Sequence, residues 1–345
     1  MRGLAAVLMV QQHLGIWLVN SHRYAAQVRA GFMYVNMAGG LAAPLFIVLA
    51  GVGSELAGQR ARSTTISLRR GAVLLGFALL LNLLVPSWFS WASFYVLHLL
   101  GVWLLLAPTL RRCSAAHLWL LALLALTVAV VGQTWLSTPM KLNNAMMRNW
   151  QRPFGPARLM AFEGQFPLFP WLALALGGAW AGRLVGKRDV RSLWLGAVGC
   201  ALGAVALRGL VLVVDNAAYD LPWRALCRTS FFPLSSMFAL MLFSLCLLLL
   251  ALVVTAEGTS RLNWFRWLVP FGRTSLSLLF IHVVCFREGL TALGWMGTQS
   301  PLLAGAIIVM FLVVWYRISA RWAVVDYRYG LEWWLRQVAP SQRNA

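Results

Sequence analysis

Acidic residues are nearly missing from this sequence. Of 345 residues only 9 are Asp or Glu, against 29 Lys or Arg, and charged residues make up 11% of the chain. Soluble domains carry about a quarter charged residues, so this scarcity excludes an ordinary soluble enzyme and a disordered tail. It also excludes a nucleic-acid binder with its charge on a water-facing surface, despite a net charge of +20. Cysteine is sparse as well. Cys113, Cys200, Cys227, Cys246 and Cys285 form no CxxC and have no His-rich partner spacing, so neither disulfides nor zinc follow and no metal is expected. There is no GxSxG, no HExxH and no carboxylate pair at helical spacing within an apolar run. Gly182-x3-Gly186-Lys187 is one residue short of a P-loop and runs on into Arg188, which argues against phosphate cradling of that kind. No internal repeat stands out.

Apolar residues dominate instead: 61% of the chain is hydrophobic and the mean hydropathy is +0.74. Burying that surface would need a larger core than one soluble domain sustains, so the expected solvent is a bilayer. A membrane span needs roughly 20 apolar residues. Ten windows qualify, at about 3–20, 36–57, 71–87, 92–110, 117–136, 166–184, 193–214, 231–255, 265–286 and 300–316. The sequence therefore predicts an all-α, polytopic helical bundle of about ten transmembrane helices, forming one domain over 1–345. The first apolar run is interrupted by Gln11, Gln12 and His13, with no small-residue cleavage site close behind, and is expected to be a retained span.

Orientation follows from the positive charges. The loops on the side of both termini hold nineteen Lys and Arg, the opposite loops hold nine, and Arg208 lies within a span. Both termini are expected to be cytoplasmic. Gly182/Gly186 and Gly199/Gly203 have the small-xxx-small spacing that suits close helix packing. Glu55, at the inner end of the second window, is expected to pair with a loop arginine. The tryptophans at window ends, among them Trp17, Trp88, Trp91, Trp135, Trp150 and Trp171, suit an interfacial belt.

Polar side chains inside a bilayer are costly, so each is a functional candidate. His13 lies about ten residues into the first window, while His98 and His282 fall in the outer parts of theirs. His22 and Glu163 stand in outer loops beside span ends. Asn36, near the outer start of the second window, suits either a substrate hydrogen bond or a helix cap. Arg2 and His13 form the sharpest constellation. Eleven residues turn a helix to within about 20° of three full turns and raise it by about 16 Å, so the two share one face. An arginine fork suits a phosphate, and an imidazole suits proton transfer near neutral pH. An extended pantetheine arm has about the length to join them. The plainer alternative for Arg2 is an anchor at the cytoplasmic boundary of the first span.

These residues sit within a wider resemblance. Arg2-Gly3-Leu4-Ala5-Ala6-Val7-Leu8-Met9-Val10 followed by His13 resembles the opening of the heparan-α-glucosaminide N-acetyltransferase-like membrane proteins. The Arg–x10–His spacing is also similar to that of the related acyltransferase-3 group. Gly39-Gly40-Leu41-Ala42-Ala43-Pro44-Leu45-Phe46 through Gly51 resembles the family's second-span signature. Phe166-Pro167-Leu168-Phe169-Pro170-Trp171 with Gly177-Gly178 and Gly182-Arg183 resembles its mid-chain span entry. Phe271-Gly272-Arg273-Thr274-Ser275-Leu276-Ser277 with Ile281-His282 resembles its late segment, and Tyr329-Gly330-Leu331-Glu332-Trp333 its ending, without the proline. Met1 stands where family members usually carry an acidic residue. The animal branch of the group has its key histidine slightly after the first span, closer to His22, whereas the acyltransferase-3 pattern points to His13.

The resemblance implies transfer of an acyl group, acetyl first, from cytoplasmic acyl-CoA to a hydroxyl or amine of a sugar or glycan on the outer side. His13 would be the catalytic residue, with His22 kept beside it. Arg2 and Arg273, then Arg69 and Arg70, would hold the acyl-CoA, and His282, His98, Asn36 and Glu163 would line the acceptor side. Expected partners are the lipid bilayer, the donor and the glycan, with no nucleic acid; a homodimer is compatible with this reading. A bacterial inner membrane is the simplest location. Two other classes use the same features: a proton-coupled transporter or flippase with a histidine relay, and an assembly subunit in which the Arg2–His13 register is accidental.

Overall fold

The computed structural model describes residues 1–59, 64–213 and 221–338. Arg60, Arg62 and Arg343 of the charge count lie outside them, as do the last residue of the 193–214 window and residues 215–220. In chain order the helices are α1 (Arg2–Leu18), α2 (Ala26–Gly39), α3 (Ala42–Gln59), α4 (Thr64–Leu84) and α5 (Val96–Leu110). Then follow α6 (Ala115–Trp135), α7 (Gly155–Arg158), α8 (Leu168–Lys187), α9 (Val190–Val213), α10 (Leu221–Cys227) and α11 (Ser236–Ala256). The last are α12 (Leu268–Arg273), α13 (Ser275–His282), α14 (Gly289–Ala292), α15 (Pro301–Trp322) and α16 (Leu331–Gln337). Among the described residues the only β-pairing is two isolated bridges, Val19–Thr298 and Phe231–Leu234. The protein is an all-α polytopic membrane bundle.

Each of the ten apolar windows coincides with helix. Among the described residues eight helical stretches are long and apolar enough to cross a membrane, one running through α2 and α3 (Ala26–Gly58) and one from α13 through α14 (Ser275–Ala292). The other two, α1 with 17 residues and α5 with 15, extend about 25 and 22 Å, short of the roughly 30 Å hydrocarbon core. Two boundaries differ from expectation for local reasons. The second window begins inside a separate helix, α2, and restarts at Ala42 after the Gly39-Gly40 pair. Pro44 falls in the first turn of α3, where its missing N–H costs nothing. The window at 265–286 is broken at Thr274 (φ −115°, ψ 21°), which separates α12 from α13. Serine caps set other starts: Ser114, Ser235 and Ser300 accept N–H groups from the first turns of α6, α11 and α15.

The chain packs as two compact units. The first comprises residues 1–46, 84–88 and the chain from Gly258 onward. Here α1 packs on α2, α12, α13 and α15. A Cβ on Gly3 would strike the Leu268 carbonyl, so glycine there allows α1 and α12 to meet backbone to backbone.

The second unit comprises residues 47–83 and 89–257. Its most enclosed helix is α8, which buries Trp171 and an almost unbroken run from Ala173 to Gly182. The second half of α3 crosses α8 through glycine: a Cβ on Gly51 would strike the Ala175 carbonyl, and one on Gly178 the Val48 carbonyl. Gly182 continues this contact against Val52 and Glu55. The working small-residue pair is thus Gly178/Gly182. Gly199 has open space where a side chain would go, and Gly203 meets only Leu240 at 3.5 Å, so the expected close packing there is not realised. Glu55 finds its arginine in Arg183 of α8, at 3.1 Å. Gly51→Leu is expected to force these helices apart and cost about 1–3 kcal/mol or more. The thermal midpoint of the detergent-purified variant tests this; an unchanged midpoint would refute the close crossing.

Candidate active site

Two ties hold α1 alongside the α12–α13 segment. At the N-terminal end, Arg2 Nε donates to the Gly272 carbonyl at 2.6 Å. A Cβ on Gly272 would come within 2.9 Å of the Gly3 nitrogen. Farther along, His13 Nδ1 lies 2.8 Å from His282 Nε2, across 269 residues of sequence. α1 therefore runs parallel to the α12–α13 segment, with Arg2 beside Gly272 of α12 and His13 beside His282 at the end of α13.

The hydrogen-bond chain sets the proton positions. His282 is fully buried, and its Nδ1 lies 2.7 Å from the Leu278 carbonyl oxygen, which can only accept. Nδ1 of His282 therefore carries the hydrogen, and in the neutral ring Nε2 is left as an acceptor. His13 must then donate through Nδ1, which leaves a lone pair on its Nε2. The His13 ring is only half-buried. Such a nitrogen can accept a proton or attack a carbonyl carbon, and its partner fixes which tautomer is presented.

Aromatic rings wall the pair. Trp17, one helical turn beyond His13, lies nearly parallel to it at 5.2 Å, and Trp88 meets it edge-on at 5.0 Å. The two indoles also meet each other edge-on at 5.0 Å. A π-helical turn, Val283–Glu288, follows directly on His282 and holds the Trp88 loop. Glu288 accepts from the Ser87 N–H at 3.0 Å, while Arg287 donates to the Ser87 hydroxyl and carbonyl, both at 3.1 Å. On the side of α2, Gln11 donates to Asn36 Oδ1 at 3.0 Å. In the amide orientation that satisfies both groups, Gln12 bridges the Gly39 carbonyl and the Gly40 N–H.

The first unit thus contains Arg2, His13, Asn36 and His282 in linked contacts. His282, expected on the acceptor side, bonds His13 directly. His22 is also in this unit, exposed on a short 3-10 turn where its own N–H bonds Asn20 Oδ1 at 3.2 Å. Arg273 is exposed at the end of α12.

The remaining candidates belong to the second unit. Arg69 is exposed and Arg70 half-buried on α4. His98 is buried at the start of α5, where Nδ1 accepts from the Tyr95 N–H in a capping box. Glu163 is fully buried and already engaged: Arg152 and Arg158 each reach it at 2.8 Å, and the Thr138 hydroxyl donates to it at 3.0 Å. Those bonds to Glu163 hold the Arg158 guanidinium above its ordinary range.

Trp17 and Trp88, expected from the sequence in an interfacial belt, also wall the histidine pair. Trp17 carried a usable signal, since it stands four residues after His13 on the same helix face. Trp88 carried none, because only the packing of its loop brings it there.

Compared with known proteins, residues 1–210 match the family described as heparan-alpha-glucosaminide N-acetyltransferase, catalytic. No curated protein and no solved structure matches the chain.

Proposed function

Because the chain belongs to the heparan-alpha-glucosaminide N-acetyltransferase catalytic family, we propose that it moves an acyl group, acetyl first, from cytoplasmic acyl-CoA to a sugar or glycan hydroxyl or amine on the outer side of the membrane. The protein is an integral membrane protein of an acetyltransferase family. The His13–His282 hydrogen bond, with the lone pair it leaves on His13 Nε2, carries the mechanistic part.

In direct transfer, His13 Nε2 takes the proton of the acceptor as its oxygen or nitrogen bonds to the thioester carbonyl carbon. The C–S bond then breaks and the proton passes to the departing thiolate, giving acylated acceptor and free CoA. In the two-step form, Nε2 itself attacks the carbonyl carbon and the C–S bond breaks with CoA leaving as the thiolate; the acceptor then bonds to the acyl carbon, the C–N bond to Nε2 breaks, and the acceptor's proton neutralises the thiolate. Either way His13 becomes cationic for part of the cycle. Its Nδ1–H stays bonded to neutral His282, and the face of Trp17 at 5.2 Å favours a cation. Arg2 supplies permanent charge for the donor's phosphates at the other end of the α1 face. Localisation in a bacterial inner membrane remains part of this proposal.

The donor can be tested without knowing the acceptor. A ligand that binds only the folded protein stabilises it by about 2.7 kcal/mol at a hundredfold excess over Kd. The thermal midpoint of the detergent-purified protein should rise with acetyl-CoA or free CoA and stay put with ATP. In Arg2→Ala the shift should shrink. No response to any CoA species at millimolar concentration would overturn the acyl-CoA reading and turn attention to transport assays.

A further inference from the structure

The family match ends at residue 210, yet His282 and the groups that bond the first turn of α13 lie beyond it. Glu332, on the short helix α16, reaches back to the first turn of α13. Its Oε1 accepts from the N–H groups of Leu276 at 2.6 Å and Ser277 at 3.0 Å, and its Oε2 accepts from the Ser277 hydroxyl at 2.6 Å. The same hydroxyl accepts the N–H of Leu331 at 3.0 Å, which closes the loop between the two segments. At the break after α12, Thr274 takes the donor that Trp315 offers from α15, at 3.1 Å. These bonds satisfy N–H groups that the start of a helix leaves without intrahelical partners, and a carboxylate there is favoured by the helix dipole.

The α13 helix has eight residues, so its first turn lies only about 10 Å from His282. Within that length the path is continuous: Glu332 fixes the first turn, and the carbonyl of Leu278 at the end of that turn orients the His282 ring one turn later. His282 Nε2 then receives the His13 N–H. Glu332 also lies within electrostatic reach of Arg2, next to the Arg2–Gly272 tie.

We propose that Glu332 is a positioning residue of the acyl-transfer site: capping α13 from the C-terminal segment, it sets the register in which His282 receives the His13 N–H. This rests on the acyl-transfer reading for its kinetic consequence, though not for its geometric one. A displacement of His282 of about 1 Å would release the His13 tautomer, and misplacement on that scale costs about 100-fold in rate.

The test uses the full chain in detergent, as Glu332→Ala and as Ser277→Ala, which keeps the carboxylate and removes only the bridging hydroxyl. Turnover of acyl-CoA is measured per folded molecule, alongside the rate at which diethyl pyrocarbonate modifies His13, mapped by mass spectrometry. We expect Glu332→Ala to lower kcat about 10- to 100-fold with KM for the donor little changed, and to slow His13 modification. Ser277→Ala should move both in the same direction by less. A merely structural cap would lower the melting temperature and leave kcat and His13 reactivity of the folded fraction alone, which would overturn the proposal. If Glu332→Ala does not fold, unchanged values in Ser277→Ala overturn it. A wild-type protein with no acyl-CoA turnover would sink the acyl-transfer reading instead, and Glu332 would then stand or fall on the His13 modification rates.

Discussion

His13→Ala is expected to lower acyl transfer by about 10²- to 10⁴-fold, the usual contribution of a positioned general base. Donor binding should survive, because the Arg2–Gly272 tie lies eleven residues away at the other end of α1. The variant should therefore keep its CoA-induced rise in melting temperature while losing release of CoA in proteoliposomes. His282→Phe should fall short of this loss. It removes the acceptor of the His13 Nδ1–H and lets the ring adopt the other tautomer, in which Nε2 carries the hydrogen, but it leaves an imidazole in place. The ordering is informative. A loss confined to His22→Ala, with His13→Ala fully active, would move the chemistry to the exposed turn after α1 and refute the role given to the histidine pair.

The second large effect concerns folding. Arg158→Ala should destabilise the protein by about 3 kcal/mol, because removing one partner of a buried pair leaves charge without its compensation. Arg158 gives Glu163 two of its hydrogen bonds, from Nε at 3.0 Å and Nη2 at 2.8 Å, and also donates to the Leu136 carbonyl. What remains is a carboxylate with 0% exposure, held by Arg152 and Thr138 alone. Adding Glu163→Ala to Arg158→Ala should recover part of the loss, since the stranded charge is then gone. Thermal melting of the two variants decides it. A double variant less stable than Arg158→Ala by the full cost of a second deletion would show that the pair contributes nothing as a pair. Three side chains, Arg152, Arg158 and Thr138, bond the oxygens of Glu163 within the second unit.

Several features were legible in the order of residues because they depend on local periodicity or on composition. Scarce charge and long apolar runs dictate a membrane bundle whatever the packing, since unpaired charge in hydrocarbon is costly and backbone groups there must bond internally. The shared face of Arg2 and His13 follows from 3.6 residues per turn. Other features had no local signal. His282 pairs with His13 across 269 residues, Trp88 arrives on a loop held by Arg287 and Glu288, and Glu332 caps a helix some 55 positions earlier. Glycine spacing alone likewise could not distinguish Gly178/Gly182, which face a helix backbone, from Gly199, which faces open space. Sequence by itself determined the class of protein, its helices and the face that Arg2 and His13 share. Tertiary structure alone decided the partner that fixes the His13 tautomer, because a hydrogen bond of 2.8 Å between distant segments depends on how two backbones pack and not on the spacing within either.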